Sequence, residues 1–361
     1  MLRVGVDSTK LADSRGARGE HLLARSAELG LDGVFFRSIL ELSPTLDRAE
    51  LDAAMAAARD LGQRVEAGAG KVNPFATPET PAIRALGGGD YLHAMRMMIE
   101  AAASAGITEL WSATANYQFR LEGLYACDRF RTDVTWAEQL AATERFLHRL
   151  APILRDTGVH LNLETHEEIT TFELVRLVEA VGPDVIGITF DSANVLVRCE
   201  DPVAAVRRAA PYIRSSHIRD AAMLFRPEGI ARILQPVGEG VIDWDALLEP
   251  LLCHDLMLSI EGIVEDTRGR MTLQTYDERW QQGHPDLTLG EALEVVRLTA
   301  DYEARVAAGD APGWDALNSP VGEQESLEFI LRSAERLRGV LARLTDTRTN
   351  DNAREKAGAS A

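Results

Sequence analysis

Short apolar runs alternate along the chain with longer segments in which apolar residues recur every three or four positions. The short runs have the length and β-branched content of strands, whereas the longer period is that of amphipathic helices. Eight such pairs follow one another, and eight is the number of units that closes a barrel of parallel strands. We therefore predict an α/β fold, a (β/α)8 TIM barrel with an extra C-terminal helix. The strands are expected at 2–7, 33–37, 64–69, 109–113, 160–164, 186–191, 215–218 and 257–261.

The helical segments carry recognisable start signals. Thr170 or Thr171 can cap the fifth helix, Asp201 stands before Pro202 at the start of the sixth, and Asp243 opens the seventh. Such side chains accept hydrogen bonds from the free amides of a first turn. The barrel helices are predicted at 46–61, 91–105, 136–156, 171–181, 202–212, 243–253 and 287–308.

The C-terminal part of the chain extends beyond a minimal barrel. We predict the barrel and its site over residues 1–310, a helical extension over 311–344, and a polar, disordered tail over 345–361. The segment 264–285 is too long for an ordinary connection between elements. It is expected to be either a lid or a subunit contact.

Composition narrows the class of protein. The 361 residues are 46% hydrophobic and 26% charged, as in ordinary globular proteins. The formal charge of −18 repels phosphate backbones and anionic membrane surfaces, so neither nucleic acid nor membrane is an expected partner. The N-terminal residues lack the pattern of a secretion signal, and no apolar run has the length of a membrane span. A cytoplasmic location is expected.

The three cysteines are Cys127, Cys199 and Cys253, and they form no C-x-x-C pair. Their odd number and wide spacing argue against a disulfide framework and against a thiolate zinc site. We expect each to be a buried small apolar residue. A metal site in this chain must therefore use oxygen and imidazole ligands.

Chemistry-bearing residues stand at the carboxyl ends of four consecutive predicted strands. These ends carry Glu164, Asp191, His217 and Glu261. In a barrel the carboxyl ends of the strands surround one shared cavity. Three carboxylates crowded there without a cation would repel one another, whereas together with the imidazole they form an oxygen-rich site for one divalent ion. Mn²⁺ is the first choice, with Mg²⁺ or Co²⁺ as alternatives.

The same region resembles a known family, the xylose isomerase-like barrels, also called the sugar phosphate isomerase/epimerase superfamily. The resemblance is close over residues 155–265 and extends to the rest of the barrel only as a pattern. It implies that Glu164, Asp191, His217 and Glu261 bind the metal. The motifs that carry it are LETH at 163–166, FDSAN at 190–194, DP at 201–202, PYIRSSHIRD at 211–220, GEGVIDW at 238–244 and SIEG at 259–262.

The resemblance also implies an activity. The expected reaction is isomerisation or epimerisation of a small sugar, through removal of a proton next to a carbonyl and a metal-stabilised enediolate. Family members similar to the ketose epimerases use the two metal-bound glutamates as acid and base, here Glu164 and Glu261. His166 is a different candidate base, because it lies two residues beyond Glu164 and an imidazole titrates near neutral pH.

Further polar residues at or beyond strand ends are predicted to contact the substrate. Asn194 can bind a sugar hydroxyl or serve as a turn residue, and Asp220 and Arg219 follow closely after His217. Residues of this type at strand ends are also often solvated or paired elsewhere. The predicted substrate-binding residues are Asn194, Arg219, Asp220, Arg37, Lys71 and Asn116.

Three alternatives stay open at this point. The longer layout is shared with family members that are lyases or decarboxylases of 3-oxo-sugars, and they would use the same site. An abasic-site endonuclease shares this barrel, but it needs several histidines at strand ends, where this chain offers only His166 and His217. The barrel could also bind a sugar without catalysis. A homo-oligomer is expected, and a small partner subunit is conceivable.

Overall fold

Eight parallel strands form a closed barrel in the computed structural model, which describes residues 1–11, 16–115, 118, 121, 123–263 and 268–358, without the side chains of 79 and 348–358. Around the barrel the strands follow the order β1-β10-β7-β6-β5-β4-β3-β2. The barrel strands are β1 (Arg3–Asp7), β2 (Gly33–Phe36), β3 (Arg64–Gly68), β4 (Glu109–Ser112), β5 (His160–Glu164), β6 (Ile186–Asp191), β7 (Ile213–Ile218) and β10 (Met257–Ile260).

The predicted barrel is confirmed, and each predicted strand end lies within two residues of the observed one. Strands β5 (HLNLE) and β6 (IGITFD) have the predicted bounds, and each ends at a carboxylate. Every residue of β2 and β6 is buried. Burial on both faces is expected where helices cover a parallel sheet from outside and side chains fill the barrel inside.

Helices surround the barrel, and the three expected capping residues of the later helices are confirmed. Thr170 and Glu173 form a capping box, Asp201 accepts from the amides of Val203 and Ala204, and Asp243 accepts from that of Ala246. The helices are α1 (Gly19–Glu28), α2 (Arg48–Asp60), α3 (Pro81–Leu86), α4 (Tyr91–Ala105), α5 (Trp136–Thr157), α6 (Thr171–Val181), α7 (Asn194–Val197), α8 (Pro202–Ala209), α9 (Trp244–Leu248), α10 (Glu278–Gln282), α11 (Leu289–Ala308), α12 (Trp314–Leu317) and α13 (Glu323–Gly358).

The first barrel helix, α1, was not predicted. It begins after Arg18, which makes no side-chain capping bond, so the usual start signal is missing. Helix α1 nevertheless buries Leu22 and Leu23 against the barrel core. Its stability therefore comes from packing rather than from local signals.

A three-stranded antiparallel sheet between β7 and α11 is the main unpredicted feature. It consists of β8 (Asp220–Arg226), β9 (Gly229–Gln235) and β11 (Met271–Leu273), with β9 in the middle. Both hairpin strands are buried almost throughout. Their sequences therefore lack the alternation of apolar and polar residues that marks a half-buried strand.

The two C-terminal helices differ from the expected arrangement. Helix α13 packs against β1 and β10 and supplies Phe329, Ile330 and Leu337 to the main core, so it occupies the position that closes the barrel. Helix α11 packs instead on β8 of the added sheet. Helix α11 was expected to close the barrel, but it lies outside the barrel because the inserted sheet offers it an apolar face. Helix α13 takes the closing position instead. The bounds of α13 extend past residue 345, and the expected disorder of 345–361 stays a prediction.

The segment 264–285 is largely packed into the fold. Within it, β11 pairs with β9, and α10 carries the buried Trp280. The ring centroid of Trp280 lies 3.9 Å from that of the buried His284. Residues 264–267 lie outside the described part, and the expected role of the segment as a lid or subunit contact stays a prediction.

Two expectations from composition can be compared with the structure. Cys127 and Cys199 are buried free thiols as expected, but the same expectation is wrong for Cys253, which is exposed in a turn after α9. Among the described residues, no helix combines the length and the apolar character that crossing a membrane requires.

Candidate metal centre

The four predicted ligands come together at the carboxyl end of the barrel. Glu164 and Asp191 are the last residues of β5 and β6, and Glu261 directly follows β10. His217 in β7 is level with Asp191 on one side and with Ser259 on the other. Parallel strands in matched register therefore bring all four side chains to one place. We refer to these four residues as the ligand cluster.

The ligand cluster has the dimensions of a coordination site. One potential ligand atom from each residue lies within 4.8 Å of the others. His217 Nδ1 is 3.0 Å from Glu164 Oε1 and 3.6 Å from Glu261 Oε2. All four side chains are buried. Three carboxylates and one imidazole so close together can hold a divalent ion.

The hydrogen bonding and the donor atoms of the ligand cluster also fit a divalent ion. Glu261 Oε2 is buried and accepts no well-aligned hydrogen bond among the described residues, although Arg219 Nη2 lies 3.0 Å from it. The Phe35 ring, whose centroid is 4.6 Å from that of His217, covers the imidazole on one side. An oxygen-rich donor set with one nitrogen suits Mn²⁺, Mg²⁺ or Co²⁺ better than a structural zinc. The identity of the metal stays a prediction.

Burial and crowding shift the protonation of the cluster. Burial, together with the charges of Glu261 and Glu164, raises the pKa of Asp191 to about 6, although Arg219 opposes this. Burial also acts to raise the pKa of Glu261, but nearby cations, Arg219 first and Arg37 second, hold it well below its usual value. The pKa of His217 is raised, because the neighbouring carboxylates outweigh its burial. A cation is thus favourable at this point.

Arg219 and Asn194 contact the ligand cluster directly. The Arg219 guanidinium donates to Asp191 Oδ2 from Nε at 2.9 Å and from Nη2 at 2.6 Å, and Nη2 lies 3.0 Å from Glu261 Oε2. Asn194 donates to Glu164 Oε1 at 3.4 Å and accepts from Arg219 Nη2 at 3.1 Å. Both were predicted as substrate contacts. Their position at the cluster is compatible with that role, which stays a prediction.

Arg37 and residues of the first strand complete this side of the site. Arg37 Nε donates to Asp7 Oδ2 at 2.8 Å, and its Nη2 pairs with Glu261 Oε1. Lys10 follows β1, and its pKa is lowered by burial against the opposing attraction of Glu261. Arg37 is thus close enough to the ligand cluster for its predicted substrate contact.

A second group of similar composition follows β5. His166 Nδ1 lies 2.5 Å from Glu168 Oε2, and its Nε2 lies 2.8 Å from Glu167 Oε2. Thr114 donates to the other oxygen of Glu168. Burial acts to lower the pKa of His166, but the two carboxylates raise it well above its usual value. We refer to His166, Glu167 and Glu168 as the His166 triad.

The remaining predicted contacts are less central. Asp220 accepts hydrogen bonds from the amides of Ala221, Gly238 and Ile242 and from Trp244 Nε1, at 2.8 to 3.2 Å. This geometry favours a role in fastening the loop after β9, and the expected substrate contact of Asp220 stays a prediction.

The two predicted contacts from the first half of the chain are Lys71 and Asn116. The buried Lys71 donates to the carbonyl of Ala115, and its charge acts on Glu168 of the His166 triad. Asn116 lies outside the described residues. Both substrate contacts stay predictions.

Three residues near the ligand cluster were missed from the sequence. Trp111 Nε1 donates to Glu164 Oε2 at 2.9 Å, and Asp7 holds Arg37. Arg232 extends from β9, a strand that the sequence did not reveal. Asp7 offered a signal, because it ends a predicted strand as Asp191 does. Trp111 and Arg232 offered none, since an aromatic or a charged residue within an apolar run has many roles.

Curated relatives match only parts of this chain. A segment of 99 residues is 33% identical to the uncharacterized protein YihM of Escherichia coli, covering 27% of this chain and 30% of that protein. A segment of 122 residues is 29% identical to 3-oxo-isoapionate decarboxylase of Pectobacterium atrosepticum, covering 33% of this chain and 43% of the relative. The matches thus span less than half the length of these relatives.

Solved structures of similar fold cover most of the chain. D-psicose 3-epimerase, determined in the presence of D-fructose, is 17% identical over 88% of this chain and 100% of its own, with a TM-score of 0.53. 3-Keto-D-glucoside 4-epimerase YcjR of E. coli is 16% identical over 78% of this chain and 97% of its own, with a TM-score of 0.53. The IOLI protein with a zinc atom is 15% identical over 86% of this chain and 100% of its own, with a TM-score of 0.52. Identities this low show a shared fold alone.

Comparison of the sequence with models of protein families identifies the family of this chain. A family model described as "Xylose isomerase-like TIM barrel" matches residues 23–263, a range that includes all four residues of the ligand cluster. The match covers well over half of the chain and agrees with the closed eight-stranded barrel. The chain belongs to the xylose isomerase-like TIM barrel family.

Proposed function

We propose that this protein is a divalent-metal-dependent sugar isomerase or epimerase that removes a proton next to a substrate carbonyl. The observation that supports this most is the convergence of four ligand atoms within 4.8 Å of one another at the barrel mouth. Glu164, Asp191, His217 and Glu261 would hold the ion. A bound divalent cation would stabilise the negative charge that develops on the carbonyl oxygen as the proton leaves.

In this proposal a glutamate is the base that removes the proton, and His166 is the acid that donates one. Glu164 Oε1 and Glu261 Oε2 lie 3.0 and 3.6 Å from the same atom, His217 Nδ1, so we expect both carboxylates to reach one bound substrate. Each ring nitrogen of His166 already lies against a carboxylate, which favours the protonated imidazole. We therefore assign proton removal to Glu164 or Glu261 and give His166 the part of a proton donor.

The surrounding side chains fix the orientation of the two glutamates. Trp111 Nε1 holds Glu164 Oε2, and Asn194 approaches Glu164 Oε1. Arg37 and Arg219 contact different oxygens of Glu261. Residues that orient ligands in this way commonly change metal affinity or activity when they are replaced. Asn194, Arg219 and Arg37 are also the proposed contacts for substrate hydroxyls.

The second candidate function is lyase or decarboxylase chemistry on a 3-oxo-sugar. The partial match to 3-oxo-isoapionate decarboxylase favours it. The added sheet and α11 also extend the layout beyond the barrel itself. Both functions would begin at the same metal site, and they differ in which bond breaks next to the stabilised charge.

Proton NMR in D₂O separates the two functions. The Mn²⁺-loaded protein is incubated with ketoses, 3-oxo-glycosides and oxo-sugar acids. Deuterium that enters the carbon next to the carbonyl while the skeleton stays intact supports the isomerase or epimerase. Release of an aglycone or of CO₂ supports the second function. Full activity of the metal-stripped protein would contradict both.

A further inference from the structure

Arg232 occupies the middle of the face of the added sheet that is turned toward the barrel core. Its register neighbours are Met223 on β8 and Met271 on β11. Apart from Met271, the apolar residues that share this face pack with the main core, whereas Ile233, on the opposite face, belongs to a separate cluster with Tyr302 of α11. Arg232 is therefore a charged residue on an otherwise apolar surface. The other residues of this face are Ala221, Met223, Phe225, Ile230, Leu234, Met271 and Leu273.

The Arg232 guanidinium has more donors than acceptors around it. The residue has no solvent exposure. Among the described residues, Nε and Nη1 have no hydrogen-bond partner. Nη2 lies 3.1 Å from Met271 Sδ, a weak acceptor, and 3.9 Å from Glu167 Oε1, beyond hydrogen-bond distance. A buried charge with unpaired donors costs free energy of folding, and most buried polar groups have a hydrogen-bond acceptor or donor as partner.

Arg232 interacts electrostatically with two residues of the ligand cluster and with the guanidinium of Arg219. Burial, followed by the charge of Arg219, lowers the pKa of Arg232 to about 10, while Glu167, Asp191 and Glu261 act in the opposite direction. Glu167 is not a dedicated partner, because its carboxylate lies closer to His166. Two like charges in a buried place are favourable when a negative group joins them.

We propose that Arg232 binds an oxyanion of the substrate, a carboxylate or a phosphate, while the carbonyl end of the same molecule lies at the ligand cluster. This inference rests on the proposed function and narrows its substrate class from sugars in general to acidic sugars. A guanidinium matches either oxyanion in geometry and charge. The apolar neighbours of Arg232 strengthen the attraction, since they keep the local dielectric low.

Calorimetry with four probes tests the inference on Mn²⁺-loaded protein. D-Fructose, D-fructuronate and D-fructose 6-phosphate differ at C6, which carries a hydroxyl, a carboxylate or a phosphate, and 2-keto-D-gluconate carries its carboxylate at C1. We expect at least one acidic probe to bind at least tenfold more tightly than D-fructose. The tighter probe distinguishes a carboxylate site from a phosphate site.

Two variants assign that preference to Arg232. Arg232→Met suits the apolar face and should abolish the preference for the acidic probe without changing the affinity for D-fructose. Arg232→Lys keeps the charge but not the planar fork, and should retain part of the preference. Thermal unfolding and manganese content check that both variants fold. If the Met variant does not fold, the comparison of the Lys variant with the natural protein decides.

The outcomes separate this inference from the proposed function. Equal or weaker binding of every acidic probe than of D-fructose overturns the inference, as does a preference that survives in Arg232→Met or is unchanged in Arg232→Lys. Deuterium exchange is measured on the same samples. Exchange without an Arg232-dependent preference leaves the proposed function intact and removes the inference. A preference that depends on Arg232, without deuterium exchange or bond cleavage, supports the oxyanion site and contradicts the proposed function.

Discussion

The ligand cluster and the His166 triad are both built from carboxylates around one imidazole, yet the two imidazoles have different surroundings. In the triad, each ring nitrogen of His166 lies against its own carboxylate, so both nitrogens have a partner. In the ligand cluster, His217 Nδ1 faces two carboxylates, and Nε2 has no partner among the described residues. The same kinds of residue thus form a closed ion network in one place and an incomplete one in the other.

This contrast between the two groups indicates where a divalent cation is favourable. The ligand cluster has three carboxylates for one imidazole and depends on arginines from outside, Arg219 and Arg37. The triad has only two carboxylates for one imidazole, receives a hydrogen bond from Thr114, and has Lys71 and Arg232 as nearby cations. We therefore expect a divalent ion to bind at the ligand cluster and not at the triad.

The largest expected effect comes from replacing one ligand. Glu261→Gln keeps the shape of the side chain but removes its charge, so we expect loss of the bound ion and a fall in kcat/KM on the order of 10³-fold or more. Metal content and steady-state rates measure both. Glu168→Gln in the triad is the matched control and should keep one ion per chain. Retention of the ion by Glu261→Gln, or its loss from Glu168→Gln, would contradict the distinction between the two groups.

A smaller effect is expected from the residue that orients Glu164. Trp111→Phe keeps an aromatic ring beside His217 but removes the hydrogen bond from Nε1 to Glu164 Oε2. Loss of such a bond commonly lowers metal affinity or activity by roughly 10- to 100-fold. Titration of the metal-free variant with Mn²⁺ measures the change. An unchanged affinity together with unchanged turnover would show that Glu164 needs no external orientation.

Metal affinity should depend on pH through His217 and Asp191. The pKa of Asp191 is raised to about 6 in the metal-free protein, so a proton competes with the ion below that pH. We expect the affinity to fall with decreasing pH, by up to roughly tenfold per pH unit for each ligand that takes up a proton: His217, whose pKa is raised, does so first, and Asp191 adds to the fall below pH 6. For stability the sign is opposite: a carboxyl with a raised pKa weakens the metal-free fold as pH increases from about 4 to 6. Titrations at several pH values test this, and a flat affinity down to pH 5 would contradict it.

The smallest expected effect is on thermal stability. An ion that binds only the folded chain adds about 2.7 kcal/mol at one hundred times its Kd, which corresponds to a rise of roughly 3 to 4 °C in Tm for a chain of 361 residues. Differential scanning calorimetry with and without Mn²⁺ measures the shift. Asp191→Asn should show a much smaller one. Equal shifts in both proteins would place the bound ion outside the ligand cluster.

The barrel and the convergence of the four proposed ligands were predictable because strand ends are geometrically equivalent. A residue at the end of one parallel strand lies beside the residue at the end of the next, so Glu164, Asp191, His217 and Glu261 could be placed together from spacing alone. Their charges then indicated a metal, since three adjacent carboxylates are unfavourable without one. This part of the prediction needed no knowledge of tertiary contacts.

The added sheet could not be predicted in the same way. Strands β8 and β9 are buried on both faces, so they show no alternation, and β11 reaches them from beyond β10. Arg232 within such a strand carries no local sign of what it contacts. The position of α13 against β1 likewise depends on contacts between the two ends of the chain. Long-range packing of this kind leaves no periodic signal in the sequence.

The metal content of the purified protein tests the central claim most directly. Natural protein and Asp191→Asn are loaded with Mn²⁺, freed of unbound ion by gel filtration, and measured by inductively coupled plasma mass spectrometry. We predict one divalent ion per chain in the natural protein and almost none in the variant. A natural protein without bound metal, or a variant that retains a full equivalent, would contradict the assignment of the ligand cluster.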